Sequence, residues 1–212
     1  MRHPIYLFRH GETVWNAEGR AQGRLDSPLT EVGRAQAHAM GRRLALELRQ
    51  AGYESTRVIV RASPLGRVRE TLAIAAAAAD LDHDDQCFDS RLQELSWGDW
   101  DGFNGAEIEA RWPGGMAARQ ADRWHYQPPG GENYAMAVER ARPALDDIAV
   151  LAAERPVAVF AHGGIGRVLR GLFLDAPKAE IVFMDQPQDA FYRLHQGHAV
   201  RIGTSADAQV ET

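Results

Sequence analysis

The chain has 212 residues, 45% of them hydrophobic and 25% charged, and its formal net charge at pH 7 is −5. That composition predicts a globular protein with a sizeable core, and the acidic balance argues against binding to nucleic acid or to an anionic membrane. With a single cysteine, no stretch near the roughly 18 apolar residues of a membrane span and a strand predicted from residue 4, we expect a cytoplasmic protein without a signal peptide.

The first elements alternate between strand and helix. An apolar run predicts a strand over residues 4–8, and a helix follows over residues 31–50, capped by Thr30. A second strand is predicted over residues 56–60. Ser63 then reads as an N-cap, with Pro64 at the first helical position of a helix that runs to Ala79.

The middle of the chain is less regular. A short strand is predicted at residues 86–88 and a brief helix, capped by Asn104, through Arg111. Residues 112–131 are rich in Gly, Pro, Trp and Arg without a clear period. Asn133 then opens a helix that Pro143 should kink or split.

The last third returns to strands. Residues 156–161 form a strongly apolar strand, followed by a helix to about Leu174. Two short runs at 191–194 and 199–202 bracket Gln196-Gly197 and predict an antiparallel hairpin at the sheet edge. We expect residues 203–212 to form a frayed tail.

This order predicts an α/β fold in three layers, α/β/α, with a mostly parallel central sheet and the antiparallel hairpin at its edge. We expect one domain over residues 1–212, because neither repeat nor linker is visible. Residues 97–131 are interpreted as a cap or loop segment over the C-terminal strand ends.

Two strands end in histidine followed by glycine. Arg9-His10-Gly11 follows the first strand, and His162-Gly163-Gly164 follows the strand at 156–161. The carboxyl ends of parallel strands meet at one sheet edge, where open α/β folds bind ligands. Arginine supplies donors for phosphate oxygens, and a neutral histidine supplies a nucleophile that can take and release a phosphoryl group.

Two further segments add to this chemistry. Arg67 is predicted in the first turn of a helix, where free N–H groups favour an anion. Glu94 stands near Trp97 and Trp100, whose partly dry surroundings would raise the pKa of a carboxyl towards that of a useful general acid. Neither His-x-x-x-His nor a cysteine cluster is present, so we expect no metal site and no cofactor.

Taken together, these segments resemble the histidine phosphatase superfamily, the phosphoglycerate-mutase-like fold. The matching segments run in the family's order from residue 5 to about 170 and are Phe8-Arg9-His10-Gly11-Glu12-Thr13 with Trp15-Asn16, Gln22-Gly23 through Thr30, Ser63-Pro64-Leu65 with Arg67, Leu92-x-Glu94 with Gly98 and Trp100, and His162-Gly163-Gly164.

The resemblance implies a metal-independent phosphomonoesterase acting on small phosphorylated metabolites. It makes His10 the nucleophile, through a phosphohistidine intermediate, and Glu94 the general acid and base. Its phosphate-binding residues would be Arg9, Asn16, Arg67, His162 and Gly163, and its substrate-binding residues Gln22 and Gly23.

Two alternatives stay open. The mutases of the superfamily carry a longer insertion with an adjacent arginine pair, whereas Arg111, Arg119 and Arg123 stand apart here, which favours a phosphatase. A non-catalytic phosphoryl-binding module is disfavoured because His10, Glu94 and His162 are all present.

The role of the cap is also open. Its aromatic residues either fence the organic part of the substrate or pack the cap onto the core; they are Trp97, Trp112, Trp124, His125 and Tyr126. Glu132 either caps the next helix or contacts substrate. A homodimer through the sheet edge is compatible with the sequence, which does not identify the physiological phosphomonoester.

Overall fold

The computed structural model describes residues 2–204 of the chain. Thirteen helices and strands lie in the described residues, numbered along the chain as β1 Ile5–Arg9, α1 Val14–Ala17, α2 Glu31–Gln50, β2 Ile59–Ala62, α3 Gly66–Ala79, α4 Gly105–Arg111, α5 Gly115–Ala121, α6 Tyr134–Leu151, β3 Val157–Ala161, α7 Gly163–Phe173, α8 Lys178–Ile181, β4 Ala190–His195 and β5 His198–Gly203. Short 3₁₀ turns lie at Ser55–Arg57, Asp85–Cys87, Ser90–Leu92 and Gly98–Trp100.

The strands form one sheet in the order β2-β3-β1-β4-β5. The first three strands of that order are parallel, and β4 and β5 run antiparallel as a hairpin at the edge. Gln196 and Gly197 both take positive φ in the hairpin turn, as a two-residue turn that matches strand twist requires. The predicted mixed sheet and edge hairpin are confirmed.

Alternate residues of the strands face opposite helical layers. Ile5 and Leu7 pack into the core under α6 and α7, and Tyr6 and Phe8 pack into the core under α2 and α3. This alternation produces the three-layer α/β/α arrangement. It also leaves the carboxyl ends of β1 and β3 side by side, because Arg9 pairs with Ala161.

The helix after β2 does not begin as predicted. Ser63 is not its N-cap and Pro64 is not its first residue, because α3 begins at Gly66. The Asp26 carboxylate, from a distant loop, accepts hydrogen bonds from the backbone N–H groups of Gly66 at 2.6 Å and Arg67 at 3.2 Å. The tertiary contact with Asp26 therefore caps α3, which is the role that the local sequence predicted for Ser63.

Three strand and loop predictions also need correction. The second strand begins at Ile59, where pairing with β3 starts, and residues 55–57 form a 3₁₀ turn. The strand predicted at 86–88 is a 3₁₀ turn with one bridge, between Phe88 and Ala62. The stretch 112–131 contains the helix α5.

The predicted split at Pro143 is wrong, because α6 runs through it as one helix. The helices at 31–50, 66–79, 105–111 and 163–173 otherwise lie where the sequence predicts them. Most of the predicted tail lies outside the described residues; within them, Gly203 ends β5 and the Thr204 side chain donates a hydrogen bond to Asp189 O at 2.7 Å. No described helix has both the length and the apolar character needed to cross a bilayer.

Candidate active site

The two histidines meet where β1 and β3 end. His10 directly follows β1, and its backbone N–H donates to Ala161 O, the last residue of β3, at 3.1 Å. His162 follows that residue. The two imidazole centroids lie 5.2 Å apart with the rings inclined by 64°. The parallel pairing of the strands therefore brings the two side chains into contact.

The hydrogen bonds of His10 fix the position of its proton. Nδ1 lies 2.8 Å from Gly11 O, and because a carbonyl oxygen can only accept, Nδ1 carries the hydrogen. The lone pair is therefore on Nε2, which accepts from Arg67 Nε at 3.3 Å. Burial and then the charges of Arg67 and Arg9 hold the pKa of His10 well below its usual 6.5. His10 is thus a neutral imidazole whose one lone pair is on Nε2, where it accepts a hydrogen bond from Arg67.

His162 is fully buried. Its Nε2 lies 2.7 Å from Ser63 Oγ, and its Nδ1 has no hydrogen-bond partner within the described residues. Burial, followed by the charge of Arg67, holds the pKa of His162 well below its usual range. The ring contacts His10 and does not line the hollow described below, and its Nδ1 is the ring nitrogen without a partner in the described residues.

Arg67 is held from several sides. Its Nη1 donates to Leu25 O at 2.6 Å and pairs with Asp26 at 2.9 Å, and its Nη2 donates to Gly23 O at 2.7 Å. Only 2% of the residue is exposed. Burial lowers the pKa of Arg67, while the charges of Glu94 and Asp26 act in the opposite direction. These contacts fix the guanidinium beside His10 Nε2.

Arg9 is less fully bonded. Its Nη1 donates to Gln186 O at 2.9 Å, and its buried Nε has no partner among residues 2–204. Burial lowers its pKa to about 10, against the opposing charge of Glu94. Arg9 therefore stays cationic at neutral pH and retains an unused donor.

Two amide side chains lie beside these groups in the site. Asn16 Oδ1 accepts from Thr13 N at 3.2 Å and from Gln188 Nε2 at 2.9 Å, which leaves the amide NH₂ as its contribution to a ligand. Gln22 Nε2 donates to Thr13 Oγ1 at 2.6 Å, and its buried Oε1 has no partner within the described part of the chain. Gln22 therefore offers an acceptor, suited to a substrate hydroxyl.

The Glu94 carboxylate lies at the N-terminus of α7. It accepts backbone N–H bonds from Leu95 at 3.0 Å, Gly164 at 2.9 Å and Ile165 at 3.0 Å. A helix N-terminus favours an anion. A Cβ on Gly164 would lie 2.7 Å from Glu94 Oε1, so this approach requires glycine there.

The carboxyl with a raised pKa in this segment is Asp101. Burial raises its pKa from 3.8 to about 6, although its backbone hydrogen bond from Trp97 and the charge of Arg67 act against the shift. Asp101 is therefore a partly desolvated carboxyl in the segment that carries the tryptophans, as the sequence predicts for a carboxyl placed there.

These residues surround a hollow of about 190 Å³. The candidate site residues that line it are Arg9, His10, Asn16, Gln22, Gly23, Arg67, Glu94 and Gly163. Trp97, for which a substrate contact was one of the two predicted roles, also lines the hollow. Four further lining side chains were not among the predicted site residues; they are Arg20, Arg119, Tyr134 and Arg167. Arg167 lies one turn beyond His162 in α7, which was an available signal. Nothing local marks Arg119 or Tyr134.

The cap aromatics divide by environment. Trp97 lines the hollow, whereas Trp112 and Tyr126 pack on the fully buried Trp100, with ring centroids 6.3 and 5.8 Å away. Trp124 stacks on Tyr134 at 6.3 Å. His125 is exposed and bonds to Asp122. Packing therefore accounts for Trp112 and Tyr126, and Trp97 is the cap aromatic placed to touch a substrate.

Glu132 has neither of its expected roles. Asn133 caps α6 instead, and Glu132 does not line the hollow. Glu132 pairs with Arg24 at 2.9 Å and with Arg140 at 3.1 Å. Arg140 also donates to the backbone oxygen of Glu94 at 3.2 Å, so Glu132 helps to hold the segment that carries Glu94. Within residues 2–204 no group of three or more His, Cys, Asp or Glu side chains is arranged to hold a metal ion.

Comparison with known proteins agrees with this geometry. A family profile described as "Histidine phosphatase superfamily (branch 1)" matches residues 5–200. The glucosyl-3-phosphoglycerate phosphatase of Mycobacterium tuberculosis is 31% identical over 92% of this chain and 85% of its own length. A solved structure of a mycobacterial glucosyl-3-phosphoglycerate phosphatase with VO3 superposes with a TM-score of 0.74 and 28% identity, covering 90% of this chain and 92% of that one.

Two other relatives differ in named activity. The metal-independent phosphoserine phosphatase of Arabidopsis thaliana is 35% identical over 82% of this chain and 69% of its own. The probable phosphoglycerate mutase GpmB of Yersinia enterocolitica is 36% identical over 83% of this chain and 77% of its own. The profile spans nearly the whole chain and the expected resemblance is confirmed: the chain belongs to the histidine phosphatase superfamily (branch 1).

Proposed function

We propose that this protein hydrolyses small phosphomonoesters through a phosphohistidine formed on His10. The observation that carries the proposal is the state of His10, a neutral imidazole whose Nε2 lone pair lies beside the cationic Arg67. A neutral imidazole can attack phosphorus, and the adjacent guanidiniums can stabilise the charge on the equatorial oxygens.

The reaction has two steps. His10 Nε2 attacks phosphorus, the bond between phosphorus and the leaving oxygen breaks, and Glu94, which must be protonated when the substrate binds, gives that oxygen its proton and becomes a carboxylate. Glu94 then takes a proton from water, whose oxygen attacks phosphorus and breaks the P–N bond. Arg9, Arg67, His162 and Asn16 bind the phosphoryl oxygens, and the positive charge comes from the protein, so the scheme uses neither metal nor cofactor.

The groups around the leaving side bind the organic part of the substrate. Gly163, at the start of α7, belongs instead with the phosphate-binding groups; it lines the hollow beside Arg9, where a Cβ would lie 3.5 Å from the guanidinium. Gln22 offers an acceptor, and Gly23 fixes Arg67 through its carbonyl. The relatives named as phosphatases support the proposed hydrolysis of phosphomonoesters.

Phosphoglycerate mutation is the second candidate, and it is favoured by the relative named as a probable mutase. Incubating the protein with 3-phosphoglycerate, with and without the bisphosphate, separates the two. A phosphatase releases inorganic phosphate and glycerate, whereas a mutase produces 2-phosphoglycerate. Hydrolysis of p-nitrophenyl phosphate tests for phosphatase chemistry of any specificity, and a non-catalytic phosphoryl-binding module would show none of these activities.

We also propose how the chain is organised and where it acts. The chain acts as a single domain over 1–212, with residues 97–131 as the cap over the strand ends, and it acts in the cytoplasm on free small molecules. A homodimer through the sheet edge is compatible with this activity; sedimentation of the purified protein tests it.

A further inference from the structure

The segment between α8 and β4 contacts the site from outside the hollow. It runs over residues 182–189, and none of these residues lines the hollow. Its backbone supports the site wall, because Gln186 O accepts a hydrogen bond from Arg9 Nη1 at 2.9 Å. Two residues further on, the side chain of Gln188 reaches the residues that we propose to attack and to bind phosphate.

The Gln188 side chain joins two groups of the site. Its Nε2 lies 3.3 Å from His10 O and 2.9 Å from Asn16 Oδ1. A backbone carbonyl oxygen can only accept, so the NH₂ end of the Gln188 amide faces His10. That NH₂ carries two hydrogens and can therefore donate to both oxygens at once. Gln188 is thus a donor towards Asn16.

Two donors orient the amide of Asn16. The backbone N–H of Thr13, which cannot accept, lies 3.2 Å from Asn16 Oδ1, and the shorter bond from Gln188 ends on the same oxygen. The oxygen and the nitrogen of an amide lie on different sides of the planar group. Holding the oxygen of Asn16 here therefore turns its NH₂ towards the hollow, which Asn16 lines.

This orientation matters for the binding of a phosphoryl group. A reversed Asn16 amide has nearly the same shape, but its oxygen would face the phosphoryl oxygens and could offer them no hydrogen. Without Gln188, only the 3.2 Å bond from Thr13 would hold the amide, on a helix of four residues, α1. The shorter bond from Gln188 is therefore the main contact that keeps the NH₂ of Asn16 directed at a ligand.

We propose that Gln188 is a positioning residue, which fixes the Asn16 amide with its NH₂ towards the phosphoryl oxygens of the substrate. Each hydrogen bond determines the direction of the next, from His10 O through Gln188 to Asn16. Gln188 itself does not line the hollow, so it acts through Asn16. The inference rests on the proposed phosphatase function and adds a residue that the sequence motifs did not mark.

Two substitutions of Gln188 test this role with p-nitrophenyl phosphate. Gln188→Met keeps the length of the side chain and removes the donor, so kcat/KM should fall by about 3- to 10-fold, as expected for one hydrogen bond. Gln188→Glu keeps the shape but places an acceptor against two oxygens. Its loss should be larger, approaching the roughly 10²- to 10³-fold of a missing positioned donor.

A double-mutant cycle with Asn16→Ala separates positioning from a structural role. Because Gln188 acts through Asn16, Gln188→Met should change kcat/KM by less than about twofold in the Asn16→Ala background. The same loss in both backgrounds would mean that Gln188 acts through the His10 backbone or the fold, and would overturn the proposal. Gln188→Ala, which also lacks the donor, replaces Gln188→Met in the cycle if the latter does not fold.

Thr204→Val is the matched control. The Thr204 hydroxyl donates to Asp189 O, in the residue after Gln188, at 2.7 Å, and Thr204 does not line the hollow. The substitution therefore removes one hydrogen bond from the same segment without changing the contact with Asn16. Its kcat/KM should equal that of the wild type. A loss equal to that of Gln188→Met would show that anchoring of the segment is what matters, and would refute the role of the Gln188 amide.

A binding measurement separates this inference from the proposed activity. In ¹⁵N NMR spectra, the side-chain NH₂ signal that is absent in Asn16→Ala should shift when inorganic phosphate is added to the wild type, and much less in Gln188→Met. That result in a protein that hydrolyses no phosphomonoester would retain the role of Gln188 and count against the phosphatase function. Hydrolysis of p-nitrophenyl phosphate without any shift of the Asn16 signal would retain the phosphatase function and refute the role of Gln188.

Discussion

At the scale of single residues, the chemistry depends on one proton of His10. Gly11 O fixes that proton on Nδ1, and burial beside Arg67 and Arg9 keeps the ring from gaining a second. Because the pKa of His10 is lowered, the imidazole becomes protonated, and stops being a nucleophile, only when the pH falls to that lowered pKa. His10 therefore remains reactive at the pH where an ordinary histidine is half protonated.

This state is measurable directly. In an NMR titration of the imidazole ¹⁵N signals, His10 and His162 should both remain neutral at pH 6.5 and begin to protonate only well below it. Assignment by His10→Ala and His162→Ala identifies the two signals. Protonation of His10 at or above pH 6.5 would contradict the electrostatic description of the site.

Glu94 has a separable role. Glu94→Gln retains a side chain of the same shape but cannot deliver a proton. We expect kcat for glycerol 3-phosphate, whose alcohol is a poor leaving group, to fall by about 10²- to 10⁴-fold. The rate constant of the first step with p-nitrophenyl phosphate, whose leaving group is good, should fall much less. Rapid-quench measurement of p-nitrophenolate release checks this. Equal losses for both substrates would remove Glu94 from the acid role.

At the scale of elements, the site is assembled by ends of strands and helices. Arg9 with His10 and His162 could be predicted to converge, because parallel strands share one carboxyl edge. The position of Glu94 at the start of α7 could not, because it depends on a contact between residues 70 positions apart. Likewise Asp26, and not Ser63, caps α3, since tertiary contacts override a local capping pattern.

The start of α7 offers a test at this scale. Gly164→Ala places a Cβ about 2.7 Å from Glu94 Oε1 and must displace the carboxylate. Activity on glycerol 3-phosphate should fall by about 10²-fold or more, as for loss of a positioned acid. Steady-state kinetics with thermal unfolding checks this prediction.

Gly105→Ala is the matched control, because Gly105 also lies at a helix start and a Cβ there meets nothing within 4 Å. It should keep wild-type activity and stability. Unchanged kinetics in Gly164→Ala would mean that the position of Glu94 is not critical.

At the scale of the whole molecule, the cap and the core are joined at the site. Asp101 of the cap segment accepts from Trp97 N at 3.2 Å and packs on Gly23, where a Cβ would lie 2.0 Å from its Oδ1. Gly23 in turn accepts from Arg67. The sequence indicated a cap over residues 97–131, but the fit of this cap against the loop that holds Arg67 is a property of the folded chain alone.

The raised pKa of Asp101 makes a prediction for stability. Between pH 3.8 and about 6 the folded chain binds more protons than the unfolded chain, so the free energy of unfolding falls as the pH rises through this range. At 1.36 kcal/mol per pKa unit, discounted for partial exposure to solvent, the contribution is about 1–2 kcal/mol. Asp101→Asn should remove it and gain stability at about pH 7 relative to the wild type.

Urea unfolding at about pH 4 and about pH 7 measures the difference between the two proteins. Asp99→Asn, at an exposed carboxyl in the same turn, serves as the control and should follow the wild-type pH dependence. The same slope in Asp101→Asn as in the wild type would show that this carboxyl is not the source of the effect.

The net charge of the molecule is −5, yet its candidate site is lined by five arginines. The composition excluded a generally basic surface. It could not predict the cluster of arginines around the hollow, because Arg119 and Arg167 come from elements that are distant in the sequence. The positions of the residues proposed to bind phosphate followed from motif and topology, whereas the cap side chains that line the hollow depend on how the cap packs.

The most direct test of the proposed chemistry is to trap the phosphorylated protein. Mixing with p-nitrophenyl phosphate, quenching in alkali and mapping the modified peptide by mass spectrometry should locate an acid-labile phosphate on His10, absent in His10→Ala together with all turnover. Phosphate on another residue, or hydrolysis at the wild-type rate by His10→Ala, would contradict the assignment of His10 as the nucleophile.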